Sequence, residues 1–125
     1  MLFRSLCPGD YQKRDFNRIS EAGAAVVSGS QSHFAQSYGV ASDRIVHYGL
    51  GNLFFDQMDT PIVGTRQELL DRHIFYDGRL LQTEIQTTML TEFARPVPMT
   101  SAERSGLLSE ILPLTECLES REETR

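Results

Sequence analysis

The sequence predicts an α/β fold. Three stretches carry that prediction: a helix, turn and apolar strand over residues 10–29, an Asp-Gly hairpin over 67–91, and a capped helix that begins at Thr100. A helix leading straight into an apolar strand, with a hairpin further on, describes helices layered on mixed sheets.

The first nine residues show no period. From Asp10 to Ala22, DYQKRDFNRISEA, the pattern becomes helical, with Phe16 and Ile19 three apart and Tyr11 and Ala22 extending the stripe. Lys13, Arg14, Asp15, Arg18 and Glu21 fill the solvated face. Gly23 supplies the left-handed residue that ends helices at little cost. AAVVSG follows at once, and its continuous small apolar run predicts a strand buried on both faces. Loops at the carboxyl ends of such strands are where α/β folds place ligands, and SGSQSHF brings His33 onto one.

In DRIVHYGLGNLFFDQ, residues 43–57, Ile45, Val46 and Tyr48 read as a strand. Gly49 and Gly51 break it with a bend or a close backbone approach. Asn52 follows the bend, where an asparagine most often caps a turn with its own amide. Residues 58–65, MDTPIVGT, read as a loop. Asp77-Gly78 between apolar runs is a type I′ hairpin signal, with strands at 67–76 and 79–91. Leu70, Ile74 and Tyr76 alternate on the first strand, and Leu81, Thr83, Ile85, Thr87 and Met89 face together on the second. ARPVPM is an extended linker. Thr100 and Glu103 form a capping box for a helix with Leu107, Leu108, Ile111 and Leu112 as its stripe. Pro113 ends or kinks that helix, and ESREETR is a charged tail.

The composition excludes several functions. The chain has 125 residues, 40% of them hydrophobic and 23% charged, which suits one small domain or a piece of a larger one. The net charge of -5 argues against a nucleic-acid-binding surface. No apolar run approaches the roughly 20 residues of a membrane span, and MLFRSLCPGD has too short an apolar core for a signal peptide. As written the chain has no export address, which says little if its natural start lies upstream. Cys7 and Cys117 lack C-x-x-C spacing, so a zinc site is not expected. The sequence leaves a disulfide between them open, although a single pair in such a chain is usually reduced or buried.

Three histidines can carry chemistry. Neutral imidazole is the commonest metal ligand, and His33 lies on a strand-leaving loop. A lone histidine in a polar loop is more often a surface or hydrogen-bonding residue. His47 and His73 sit inside predicted strands, where packing or hydrogen bonding is the usual role. His47, just before Tyr48-Gly49-Leu50-Gly51-Asn52, has the better chance of facing a pocket, which Asp56, Gln57 and Asp59 can also line. There is no Ser-His-Asp ordering, P-loop or Rossmann glycine pattern.

SGSQSHF followed by IVHYGLGNLFFDQM resembles the capsule-synthesis CapA family, also called the poly-γ-glutamate biosynthesis family, a branch of the calcineurin-like metallophosphatases. Its members show a Gly-His-x-Pro-His-like segment after a buried strand, then a Tyr-Ser-Leu-Gly-Asn-Phe-like strand. The resemblance is good over residues 10–58. The hairpin and RPVPMTSAERSGLL are similar to the C-terminal region of one branch. It implies the C-terminal part of a layered metallophosphatase-like αββα sandwich, with a β-hairpin and a C-terminal helix. The expected division is 1–98, including the hairpin at 67–91, and 99–125 for the last helix and charged tail.

By that resemblance His33 matches the last histidine of the family's final metal motif. Gln31 stands where its other histidine usually is, Ser30 where many members have a histidine, and Ser32 replaces the usual proline. His33 and Gln31 are thus the candidate metal ligands, and Ser30, Asn52 and His47 the pocket candidates. A glutamine amide oxygen is a poor partner for a borderline transition metal beside imidazole. The earlier Asp-x-His, Gly-Asp and Gly-Asn-His-Asp/Glu motifs are absent, and Gly9-Asp10 has no strand leading into it. The resemblance implies a divalent metal (Mn, Zn or Fe) in a full-length protein, and none is required in this chain alone. It further implies a missing N-terminal part of the domain, an anionic capsule polymer or its precursor as partner, and a membrane-associated or extracytoplasmic place. The expected function is the C-terminal portion of a bacterial capsule-biosynthesis protein, inactive as this fragment. The alternative is a non-catalytic polymer-binding or assembly module. A stand-alone relic with uncovered sheet edges, prone to aggregate or dimerise, is the third reading.

Overall fold

A computed structural model describes residues 6–41, 43–55 and 63–116. The order is α1 (Asp10–Glu21), β1 (Val26–Ser28), β2 (Tyr38–Ala41), β3 (Arg44–His47), a short 3₁₀ turn (Val63–Arg66), β4 (Gln67–Tyr76), β5 (Arg79–Thr91), β6 (Arg95–Pro98), α2 (Ser101–Ile111) and a second 3₁₀ turn (Leu112–Glu116). Helices pack on two three-stranded sheets, so the α/β class holds. One sheet runs β1-β3-β2 and the other β4-β5-β6. The first is mixed, with β1 parallel and β2 antiparallel to β3. The second is antiparallel throughout.

The first helix forms where the sequence places it, but its buried face is rotated. Gln12 and Ser20 are buried while Tyr11 and Ile19 are about half exposed. Only Phe16 of the predicted stripe reaches the sheet, stacking on Tyr48 at 5.7 Å between ring centroids. A polar anchor explains the rotation. Gln12 accepts from the Gly9 N–H at 3.0 Å and donates to Oε1 of Gln36 at 3.2 Å, and Gln36 has no exposed surface. Gly23, at φ 117, ends the helix as expected.

The first strand is shorter than AAVVSG and is not buried on both faces. It lies at the edge of its sheet, and only Val27 of its three residues is buried. Continuous small apolar residues mark a central strand only if a neighbour pairs with each side, and here β3 pairs with one. The sequence also hides β2, because Tyr38-Gly39-Val40-Ala41 sits in a polar stretch that carries no alternation.

The hairpin falls where Asp77-Gly78 places it, with φ 47 and 73 at the two turn residues. Both positive values fit a type I′ turn. The predicted alternation on β5 breaks near the tip. The register shifts between Ile74 and Phe75, which pair with Gln82 and Leu80, so Leu81 is the extra residue of a bulge and is 62% exposed.

ARPVPM is extended, as its prolines require, but it is a paired strand rather than a free linker. Pro96 and Pro98 face Leu90 and Thr88 across an edge, where a missing N–H is tolerated. Thr100 caps α2, with its hydroxyl accepting from the Glu103 N–H at 3.3 Å and Glu103 answering the Thr100 N–H at 2.8 Å. Such a cap stabilises a helix by about 1 kcal/mol. Leu107 and Ile111 are buried with Ala35, Tyr38 and Leu69, each contributing roughly 1.5–3 kcal/mol through lost apolar surface. Leu112 stays 45% exposed where the chain turns into its 3₁₀ segment before Pro113. Cys7 is disulfide-bonded. Cys117, like Asp56, Gln57 and Asp59, lies outside the described residues. No helix among the described residues is long and apolar enough to cross a membrane.

Candidate functional site

The two quoted motifs meet in space because β1 and β3 are parallel neighbours that end together. Ser28 pairs with His47, and the Gly29 N–H donates to His47 O at 2.8 Å. The loops that follow therefore leave the sheet side by side. Gly29 is required for this. A Cβ there would lie 2.1 Å from the Tyr48 carbonyl oxygen. Gly51, at φ 85, turns the second loop against β4, where it bridges Glu68.

His33 and Asn52 then come into contact across 19 positions of sequence, with Nδ1 of His33 2.8 Å from Oδ1 of Asn52. Asn52 is buried, and its Nδ2 donates to Thr65 O at 2.9 Å. That donation orients the amide, so Oδ1 is the atom facing His33 and Nδ1 carries the proton. In the neutral imidazole Nε2 is the lone-pair nitrogen. This is how a ligand histidine is oriented, with one nitrogen anchored and the other left to bind. The ring also packs on Phe55, with centroids 4.9 Å apart.

Ser30 and Gln31 are exposed on the same loop. Gln31 is left-handed at φ 72, and both residues line a cavity of about 170 Å³ with Leu50, Gly51, Leu53 and Glu68. The described donors suit a metal only in part. His33 offers one nitrogen and Gln31 one neutral oxygen. Among the described residues no three His, Cys, Asp or Glu side chains gather into a metal-holding group.

His47 does not join this pair. Its Nδ1 lies 2.5 Å from Oδ2 of Asp71, and its ring stacks on Tyr38 at 3.9 Å. The Tyr38 hydroxyl donates to the other oxygen of Asp71 at 3.0 Å. Burial, then the Asp71 charge, pushes the Tyr38 hydroxyl well above its ordinary value. Among the described residues, Nε2 of His47 is buried with no hydrogen-bond partner. His73 pairs across the hairpin with the Thr83 hydroxyl at 2.9 Å.

Sequence reasoning missed Glu68. It is 1% exposed, its Oε1 accepts from the Thr88 hydroxyl, and its Oε2 is buried without a partner among the described residues. Burial lifts this carboxyl to about 7, against the smaller lowering effect of the Thr88 hydrogen bond. Its signal was available, since Glu68 falls on an apolar strand directly opposite Thr88, but an acidic residue at a strand start reads as solvated.

No curated protein matches the chain. Residues 4–57, the stretch that carries both motifs, match the model of the family described as bacterial capsule synthesis protein PGA_cap.

Proposed function

We propose that this chain supplies the last histidine ligand, His33, of a divalent-metal site in a metallophosphatase-related protein of poly-γ-glutamate capsule synthesis. Capsule synthesis rests on the family match. The finer reading rests on one observation above all: Asn52, oriented by Thr65, holds the Nδ1 of His33, and this supports Nε2 as the nitrogen available to a metal. A divalent ion at such a site polarises a phosphoryl or carboxyl oxygen and activates water. The described residues supply one good ligand, so the remaining ligands come from outside them and no reaction step is assigned to this chain. The αββα sandwich belongs to the same proposal. The disulfide at Cys7 supports a place outside the reducing cytosol.

The test is calorimetric titration of Mn²⁺ and Zn²⁺ into the chain, into His33→Ala and into Gln31→His. The proposal expects weak binding that His33→Ala removes and Gln31→His strengthens. Binding indifferent to both changes refutes it. The 125-residue chain alone is expected to have no metal-dependent phosphoesterase activity. Turnover of an aryl phosphate with Mn²⁺, abolished by His33→Ala, would overturn that expectation.

A second reading is a polymer-binding module that needs no metal. It is favoured by Ser30 and Gln31, which stand where the family's motif has histidines. Retention of the chain on immobilised poly-γ-glutamate, unchanged by chelator and by His33→Ala, would select it.

A further inference from the structure

Glu68 is second in β4 and directly opposite Thr88 of β5. One carboxyl oxygen is satisfied by the Thr88 hydroxyl, and the other is buried with no partner among the described residues. An ionised carboxylate held this way loses hydration that nothing replaces, whereas the neutral acid loses far less. Among the described residues, burial and the Thr88 hydrogen bond are what shift this carboxyl, with no ion pair to it. Beyond Thr88, β6 presents Pro98, the bridging segment presents Gly51, and the cavity wall presents Ser30 and Gln31. Arg66, two residues earlier, has a buried Nε that is also unpartnered, so the two orphaned atoms do not satisfy each other.

Glu68 also sits where movement matters. The Gly51–Glu68 bridge and the Leu69 N–H to Leu50 O bond of 2.8 Å tie the base of β4 to the segment that leads into Asn52. The cavity beside the motif loop has Glu68 in its wall.

We propose that the Glu68–Thr88 pair is a proton-operated latch in the wall of this cavity, closed while the carboxyl holds its proton and driven open toward solvent when the proton leaves. Opening loosens the Gly51 bridge and, through it, the seat of Asn52. The buried carboxyl's value of about 7 places the switch near neutrality. The latch needs no bound metal and stands whether or not His33 is a ligand.

Hydrogen exchange at the Leu69 amide, corrected for intrinsic rate at each pH, reads the latch. It is measured on the whole chain. Between about pH 5 and about pH 8.5, either side of the carboxyl's value, protection is expected to fall more than about tenfold relative to the Val46 amide. Glu68→Gln is expected to abolish the fall. An equal fall in both proteins overturns the latch. Should Glu68→Gln not fold, the ¹³C titration of the Glu68 carboxyl in the unmodified chain decides. A midpoint near neutrality supports the latch, and one in the ordinary carboxylate range overturns it.

Discussion

Asp71 stands 2.5 Å from Nδ1 of His47, and that contact joins the two sheets. Asp71 belongs to β4 and His47 to β3, and their side chains are 3% and 1% exposed. Tyr38 of β2 takes the remaining oxygen of Asp71. Asp71 is the shared partner, so removing it takes a hydrogen bond from both His47 and Tyr38 at once. Asp71→Ala is expected to cost about 3–5 kcal/mol in urea unfolding. A loss under about 1 kcal/mol would show that water already serves these groups.

Gly29 is the tightest point of the motif loop. A methyl group there meets the Tyr48 carbonyl oxygen and, at 2.6 Å, the Phe16 ring, and backbone cannot yield as a side chain can. Gly29→Ala is therefore expected to destabilise the chain by about 3 kcal/mol or more. Thermal unfolding checks this, and a melting temperature equal to that of the unmodified chain would contradict the close approach.

Asn52→Ala tests the seat of His33. It removes the acceptor of Nδ1 and the donor to Thr65 O, and about 1–3 kcal/mol of stability should go with them. The ¹⁵N shifts of the His33 ring should move from one dominant tautomer to a mixture. An unchanged tautomer would mean that Asn52 does not set it.

The Glu68 carboxyl gives stability a pH dependence whose sign is fixed. Its value in the folded chain is raised from the ordinary 4.5 to about 7, so the folded state binds this proton more tightly. The contribution is whole below about pH 4.5, falls as pH rises through the window up to about 7, and is lost above it. Its full size is at most about 3 kcal/mol. Subtracting the Glu68→Gln profile from that of the unmodified chain isolates it. A flat difference across the window would refute the assignment.

The hairpin makes a smaller prediction. Gly78 is at φ 73 with open space where a Cβ would go, so Gly78→Ala costs conformational strain alone. About 1–2 kcal/mol is expected, and Gly78→Asn should recover part of it.

Local chemistry made much of this fold legible. Asp77-Gly78 and the Thr100–Glu103 box are short-range signals, and both act where they stand in sequence. What was hidden depends on distant partners. The rotation of α1 follows from Gln36, 24 residues beyond Gln12. The edge position of β1 follows from which strand pairs with it, and the bulge at Leu81 from register against β4. The site divides in the same way. His33 and Asn52 were candidates on motif grounds, and the parallel ends of β1 and β3 bring them together. His47 was placed near a pocket by its neighbour Tyr48, yet its side chain is claimed by Asp71, which no local pattern announces.

Ser30 and Gln31 are exposed, while Gly29 before them has no room to change. The loop thus separates what holds its path from what it displays. Gln31 is left-handed, a conformation that histidine adopts more readily than most residues. Ser30 can be exchanged with little effect on the path of the chain, and Gln31 for residues that tolerate a left-handed backbone, so what the loop displays can change by single substitutions without rebuilding the scaffold.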